Sequence, residues 1–284
     1  MSRPAGTFGP ATPAVARRGR HPGRLAGPHK IRLVRRLLPL PGTDNLSQDD
    51  LEAAYALAAP APGTAHVRAN FVAAADGAAE IDGRSAALGG PGDRRVFQTL
   101  RWLADVVVVG AGTARAENYG GAVVPPERRE ARIAAGLAPV PPIAVISGSL
   151  ALDPAARLFT AQTRPLILTC ARAPADRAAA LRAVADVVTC GDEEVEPARM
   201  LAELAARGLP RVLTEGGPKL HARLADAGVL DELCLTVAPV LAGPGHLGIV
   251  DGPAWAAARR LELAHALEED GSLFLRYRLP LSGC

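Results

Sequence analysis

Asp105-Val106-Val107-Val108-Val109 is an unbroken β-branched run, the pattern of a strand buried on both faces. The short apolar runs at 143–147, 166–169, 186–189 and 212–214 have the same character, and 66–75 also reads as a strand. Between these runs the apolar spacing lengthens to three or four. Residues 92–104 place Val96, Leu100 and Leu103 on one side, and 127–135, 175–184, 197–207 and 218–227 read as further helices. An earlier helix is expected to open at Ser47, a capping hydroxyl with Asp49 and Asp50 in the first turn. It runs to 58, where Pro60-Ala61-Pro62-Gly63 stops it. Strands alternating with helices imply a largely parallel sheet covered on its faces. The end of the chain differs: 232–240, 261–267 and 272–279 read as strands with no helix between the last two, and Gly271 supplies the turn. The expected fold is therefore α/β, a mostly parallel central sheet with flanking helices and a C-terminal antiparallel strand pair. Nothing before about residue 31 carries a periodic pattern, so 1–30 is expected to be a disordered Arg/Pro/Gly-rich arm and 31–284 one domain.

Composition narrows the classes. A chain of 284 residues, 49% hydrophobic, buries a core without a disulfide or metal staple. Cys170, Cys190, Cys234 and Cys284 form no C-x-x-C pair; they read as small buried hydrophobes plus a terminal thiol, which fits a reducing, cytoplasmic setting. The net charge of +3 misleads. Nine of the 32 basic residues and none of the 29 acidic ones lie within residues 1–36, so the remainder holds 23 basic against 29 acidic groups, about −6. Such a body lacks the basic face of a nucleic-acid binder. No apolar run approaches the roughly 18 residues needed to span a membrane, and the N-terminus has no apolar core of a secretory signal.

Two glycine turns stand at strand ends, where open parallel sheets bind ligands. Gly110-Ala111-Gly112-Thr113 follows the all-valine run; glycines there let a phosphate approach backbone amides at the start of the next helical turn. A tight turn that simply needs glycine is the alternative. Thr214-Glu215-Gly216-Gly217-Pro218 ends a strand with two glycines and puts proline at the first helical position, leaving Glu215 at the mouth of a cleft. Here the alternative is an acid near a helix start. A third cluster, Asp76-Gly77 and Asp82-Gly83-Arg84-Ser85, offers Asp76 to a polar substrate, or is a surface turn. The six histidines have no metal-ligand spacing, and no G-x-S-x-G elbow, Walker loop or zinc-deaminase signature occurs, so no metal is expected. Hydride transfer needs none of these, because the cofactor carries the chemistry.

Taken in order, these pieces resemble the riboflavin-biosynthesis pyrimidine reductase family, whose fold is dihydrofolate-reductase-like. The resemblance covers about 67–278. Its most specific parts are 67–77, 110–119, Glu215-Gly216-Gly217-Pro218-Lys219-Leu220, 227–233, and Ala238-Pro239-Val240-Leu241-Ala242-Gly243. It implies NADPH-dependent reduction of a ring-opened ribosylamino-pyrimidine phosphate, of the uracil or the diaminopyrimidinone series, to a ribitylamino product. Carried over by position, Gly110, Gly112, Thr113, Gly216 and Gly217 hold the cofactor phosphates and Ser147 faces the adenosine ribose. Glu215 and Asp76 stand at the chemistry, Asn70, Ser85 and Asn118 contact base and opened sugar, and Arg101 takes the 5′-phosphate, a role its fork suits. The departures are Ala74-Ala75 where a hydroxyl residue usually precedes the acid, Glu117 for an aspartate, Tyr119 for a common proline and Gly148 for a frequent arginine. They leave open a same-fold NADPH reductase of another pterin-like or pyrimidine-like heterocycle, and a non-catalytic NADPH-binding protein is a third reading. The resemblance also implies a homodimer and, with no deaminase motif, a stand-alone reductase.

Overall fold

The structure, a computed structural model, describes residues 34–280. The expected arm at 1–30 and the terminal Cys284 lie outside them. In chain order the elements are β1 (Arg35–Leu38), α1 (Gln48–Tyr55), β2 (His66–Ala74), α2 (Pro91–Leu103), β3 (Val106–Gly110), α3 (Ala111–Ala116), α4 (Pro126–Ala134), β4 (Ile143–Ile146), β5 (Leu166–Thr169), α5 (Ala175–Arg182), β6 (Asp186–Thr189), α6 (Pro197–Ala206), β7 (Arg211–Thr214), α7 (Pro218–Asp226), β8 (Glu232–Ala238), β9 (Glu262–Glu269) and β10 (Ser272–Arg278). All ten strands join one sheet in the order β1-β9-β10-β8-β2-β7-β3-β4-β5-β6. From β8 through β6 every pairing is parallel, whereas β1, β9, β10 and β8 are joined antiparallel.

The valine run of β3 shows why the chain adopts three layers. Successive strand side chains point to opposite faces, so Val107 and Val109 enter one core with Val96, Leu100 and Leu181 of α2 and α5. Val106 and Val108 enter the other with Met200, Leu204, Leu220 and Leu224 of α6 and α7. All four valines are fully buried. Cys170, Cys190 and Cys234 are free and buried, as expected.

Three differences from the pattern-based reading have plain causes. Helix α1 is capped by Ser47 with Asp50 reciprocating, but stops at Tyr55 rather than 58. Tyr55 is fully buried and the chain turns extended at Ala56. Strand β1, Arg-Arg-Leu-Leu, was not expected; it is a four-residue edge strand whose partner β9 lies at the other end of the sequence. Helix α3 is only six residues long, too short for a periodic signal.

The two ends of the parallel strands are built differently. At the amino ends, acids tie neighbouring strands together. Asp105 accepts from the Arg211 backbone amide at 2.7 Å and from its guanidinium at 3.0 and 3.1 Å, while Asp231 accepts from the Val67 amide at 2.7 Å. At the carboxyl ends of β7 and β3, which are hydrogen-bonded neighbours, the chain departs into α7 and α3 and a cleft opens.

Candidate active site

Because β3 and β7 pair directly, the turns that follow them emerge side by side. The Gly110 amide donates to the Gly216 carbonyl at 2.7 Å, and the Glu215 amide to the Val108 carbonyl at 3.0 Å. Gly216 and Gly217 have a steric reason. Gly216 has φ +86°, and a Cβ there lies 2.8 Å from the Phe71 ring; a Cβ on Gly217 lies 2.5 Å from Thr113 Oγ1. At Gly112 a Cβ meets nothing within 4 Å, so that stretch of backbone faces open space.

The cleft beside these turns has a volume of about 740 Å³. Of the expected site residues, Asn70, Ser85, Arg101, Gly110, Gly112, Thr113, Asn118, Glu215 and Gly217 line it. Three do not. Asp76 sits exposed on the turn after β2 and accepts a 2.8 Å hydrogen bond from the Gly243 amide, so it braces a loop. Ser147 is buried and its hydroxyl accepts from the Leu150 amide at 3.0 Å. Gly216 lies behind the cleft wall, where its carbonyl joins the two turns. The Gly110 amide is likewise spent inside the protein, leaving Gly112 as the open position of that turn.

Arg101 has a partner within the protein. Its guanidinium grips Glu215 through two parallel hydrogen bonds, Nε to Oε1 at 2.6 Å and Nη2 to Oε2 at 2.7 Å, the strong bidentate geometry. Nε and Nη2 are thereby committed to Glu215, while the residue lines the cleft. Tyr119 Oη adds a third bond to Glu215 Oε2 at 2.7 Å. The Glu215 side chain is 2% exposed and that of Arg101 15%. Burial opposes the Arg101 charge, but Glu215 and then Tyr119 more than offset it, so the guanidinium is held protonated. Burial, then the Glu215 charge, pushes the Tyr119 phenol well above its usual range, keeping it a neutral donor. Arg101 further stacks on Phe97 at 4.2 Å and lies 5.7 Å from the Tyr119 ring.

Local backbone explains how Tyr119 arrives. Asn118 takes a left-handed turn at φ +48° directly after α3, and the Tyr119 amide returns to the Ala114 carbonyl at 2.9 Å. Glu117 stays beside the cleft by accepting from both the amide and the hydroxyl of Ser85 at 3.1 Å. On the other wall Phe71 stacks on His221, with ring centroids 4.6 Å apart. Exposed Arg94, Arg157 and Lys219 add positive charge along the lining.

Sequence reasoning missed Asp93 and Phe97, which line the cleft with Arg101. The signal was present: positions 93, 97 and 101 share one helical face by i, i+4 spacing. The reading followed only the apolar face at Val96, Leu100 and Leu103. Tyr119 was noted as a departure without a role, since nothing local tells that its hydroxyl meets an acid almost a hundred residues away.

The RibD C-terminal domain profile matches residues 65–273 of the chain. A 2,5-diamino-6-ribosylamino-4(3H)-pyrimidinone 5′-phosphate reductase of Methanothermobacter thermautotrophicus is 28% identical over 210 residues, 72% of this chain and 91% of that protein. The protein of the same name from Archaeoglobus fulgidus is 27% identical over 186 residues, 65% of this chain and 85% of its own length. Among solved structures, a pyrimidine reductase-like protein of Corynebacterium diphtheriae superposes with a TM-score of 0.71 at 27% identity, covering 82% of this chain and 99% of that one. With the profile spanning β2 to the start of β10, the chain belongs to the RibD C-terminal domain family.

Proposed function

We propose that the protein is an NADPH-dependent reductase of a 5-phosphoribosylamino-pyrimidine, of the uracil or diaminopyrimidinone series, yielding the ribitylamino product of riboflavin biosynthesis. The single observation that carries this reading is the meeting of two glycine turns at one cleft, joined by the 2.7 Å Gly110–Gly216 bond, with a dry carboxylate–guanidinium–phenol cluster beside them. The relatives named as pyrimidinone phosphate reductases support it.

The residues present fit a dinucleotide. Gly112 offers backbone with no side chain in front of it, and Gly217 and Pro218 place the start of α7 on the same wall. Thr113 and Lys219 supply a hydroxyl and a cation there. When bound, NADPH supplies the hydride. The chain supplies position and a water-poor wall. Glu215, fixed by three hydrogen bonds, presents its remaining acceptor capacity at one place. Tyr119 Oη holds a proton against Glu215 Oε2, and Asn70, Asn118 and Ser85 line the substrate side. With Arg101 engaged, the substrate phosphate falls to the exposed cations Arg94 or Arg157.

The test is NADPH oxidation, followed by its near-ultraviolet absorbance, with each phosphoribosylamino-pyrimidine. Turnover with either supports the reading. Turnover only with unrelated heterocycles points to a reductase of another substrate, and cofactor binding with no turnover on any substrate refutes catalysis.

A further inference from the structure

Along the cleft face of α2 stand Asp93, Phe97 and Arg101, one turn apart. At 1.5 Å of rise per residue, the first and last are separated by roughly 12 Å along the axis. The Arg101 end is the Glu215 end, beside the glycine turns; the Asp93 end is remote from them. Among the described residues five carboxylates line the cleft, Glu80, Asp93, Glu117, Glu215 and Asp251; Glu215 is bound by Arg101 and Tyr119, and Glu117 by Ser85. Asp93 has no arginine fork. It is half-buried, beside the Thr236 hydroxyl on β8. The main chain makes room for it: a Cβ on Gly89 lies 2.6 Å from Asp93 Oδ2. Burial pushes its carboxyl up, opposed by Thr236 and Arg94, so a ligand that donates hydrogen bonds restores what desolvation removes.

A carboxylate has two acceptor oxygens side by side and matches a ligand edge that presents two adjacent N–H donors. A 2-amino-4-oxopyrimidine has that edge at its exocyclic amine and N3–H. The corresponding edge of a uracil places a carbonyl on each side of N3–H, which sets lone pairs against the carboxylate.

We propose that Asp93 is the specificity residue of this cleft, accepting the 2-amino and N3–H pair so that the diaminopyrimidinone is taken in preference to the uracil. The heterocycle then lies along α2 past Phe97, with its far edge on Asp93 and its sugar carbon toward Glu215. This assignment rests on the reductase reading above and names its substrate.

The test reads base binding apart from turnover. Calorimetric titration of the full chain compares 2,5,6-triamino-4(3H)-pyrimidinone with 5,6-diamino-1-methyluracil, in which the methyl removes the N1–H that would otherwise form a donor pair with the 6-amino group; both lack the sugar phosphate. The wild type is expected to bind the first at least about 100-fold more tightly, below the roughly 10⁴–10⁵-fold reached when a site built to hydrogen-bond a donor meets an analogue lacking it. Asp93→Asn should bring the two within about 3-fold, because an amide has one donor and one acceptor and accommodates a carbonyl. Gly89→Ala, which displaces the carboxylate without altering Asp93, should lower the preference in the same direction. Equal binding of both bases by the wild type, or a preference untouched in both variants, overturns the assignment. NADPH oxidation with the phosphoribosyl substrates is measured in parallel. An Asp93-dependent preference without turnover retains Asp93 and removes the reductase reading; turnover without a base preference does the reverse.

Discussion

Arg101 and Glu215 lie 114 positions apart in the chain and meet through two hydrogen bonds of 2.6 and 2.7 Å. Removing one partner of such a buried pair leaves the other uncompensated, a loss on the order of 3–5 kcal/mol. Glu215→Gln keeps the shape and part of the bonding. It should lower kcat by 100-fold or more while NADPH affinity, from fluorescence titration, changes less than about 3-fold; such a loss corresponds to removing one strong electrostatic contact in the transition state. Arg101→Ala is expected to reduce turnover of phosphorylated and dephosphorylated substrate alike, because its guanidinium serves Glu215. A loss confined to the phosphorylated form returns Arg101 to the phosphate role that its sequence position suggested. At this scale the sequence showed which residues were chemically able to act, including Glu215, Asn70 and Gly112. It could not show which were already engaged: Ser147 accepts from the amide three residues on and Asp76 from the amide of distant Gly243, and such bonds depend on backbone geometry that composition does not encode.

Helices and strands were the most legible level, for a physical reason. Strands buried on both faces need uninterrupted β-branched residues, and the ends of the parallel strands fall within a residue or two of the expected ones. What escaped was β1, an edge strand defined by a distant partner, β9; α4 was legible as a helix, but not the role of its side chains. Arg132 of α4 donates to the Trp102 and Ala104 carbonyls at 2.5 and 2.9 Å, and so satisfies the C-terminal end of α2, the helix that carries the site. The turn after β7 is the most constrained junction. Gly216→Ala must place a methyl in the left-handed region at φ +86° and 2.8 Å from the Phe71 ring. Strain and overpacking together should cost about 2–4 kcal/mol, read as a lower urea midpoint at unchanged slope. A midpoint shift worth less than about 0.5 kcal/mol shows that Phe71 has room to yield.

Across the whole sheet, charge is concentrated at the antiparallel junction. Arg68, Glu232 and Arg276 are all buried, with Glu232 accepting from both arginines. Next to them His265 packs edge-on against Tyr55, ring centroids 4.6 Å apart. Burial, then the charges of Arg276 and Arg68, lowers the His265 pKa from 6.5 to about 4. Above 6.5 the ring is neutral whether the chain is folded or not, and the fold has its full stability. As pH falls from 6.5 toward 4 the unfolded chain protonates first, and stability declines by up to about 3 kcal/mol. Glu232, held below the usual carboxylate range against its own burial by His66, Arg276 and Arg68, extends the loss to lower pH. Denaturant midpoints at pH 7 and pH 4.5 should therefore differ less in His265→Phe than in the wild type; an identical difference excludes His265 as a source of acid sensitivity. The strand order has a kinetic consequence during translation. The partners of β2 on its two sides are β7 and β8, with His66 paired to Arg211 and Ala69 to Leu233. At roughly 5–20 residues per second the ribosome needs between about 7 and 30 seconds to reach them. Throughout that interval this nine-residue segment waits with both edges bare, open to pairing with other strands until the late strands emerge to enclose it.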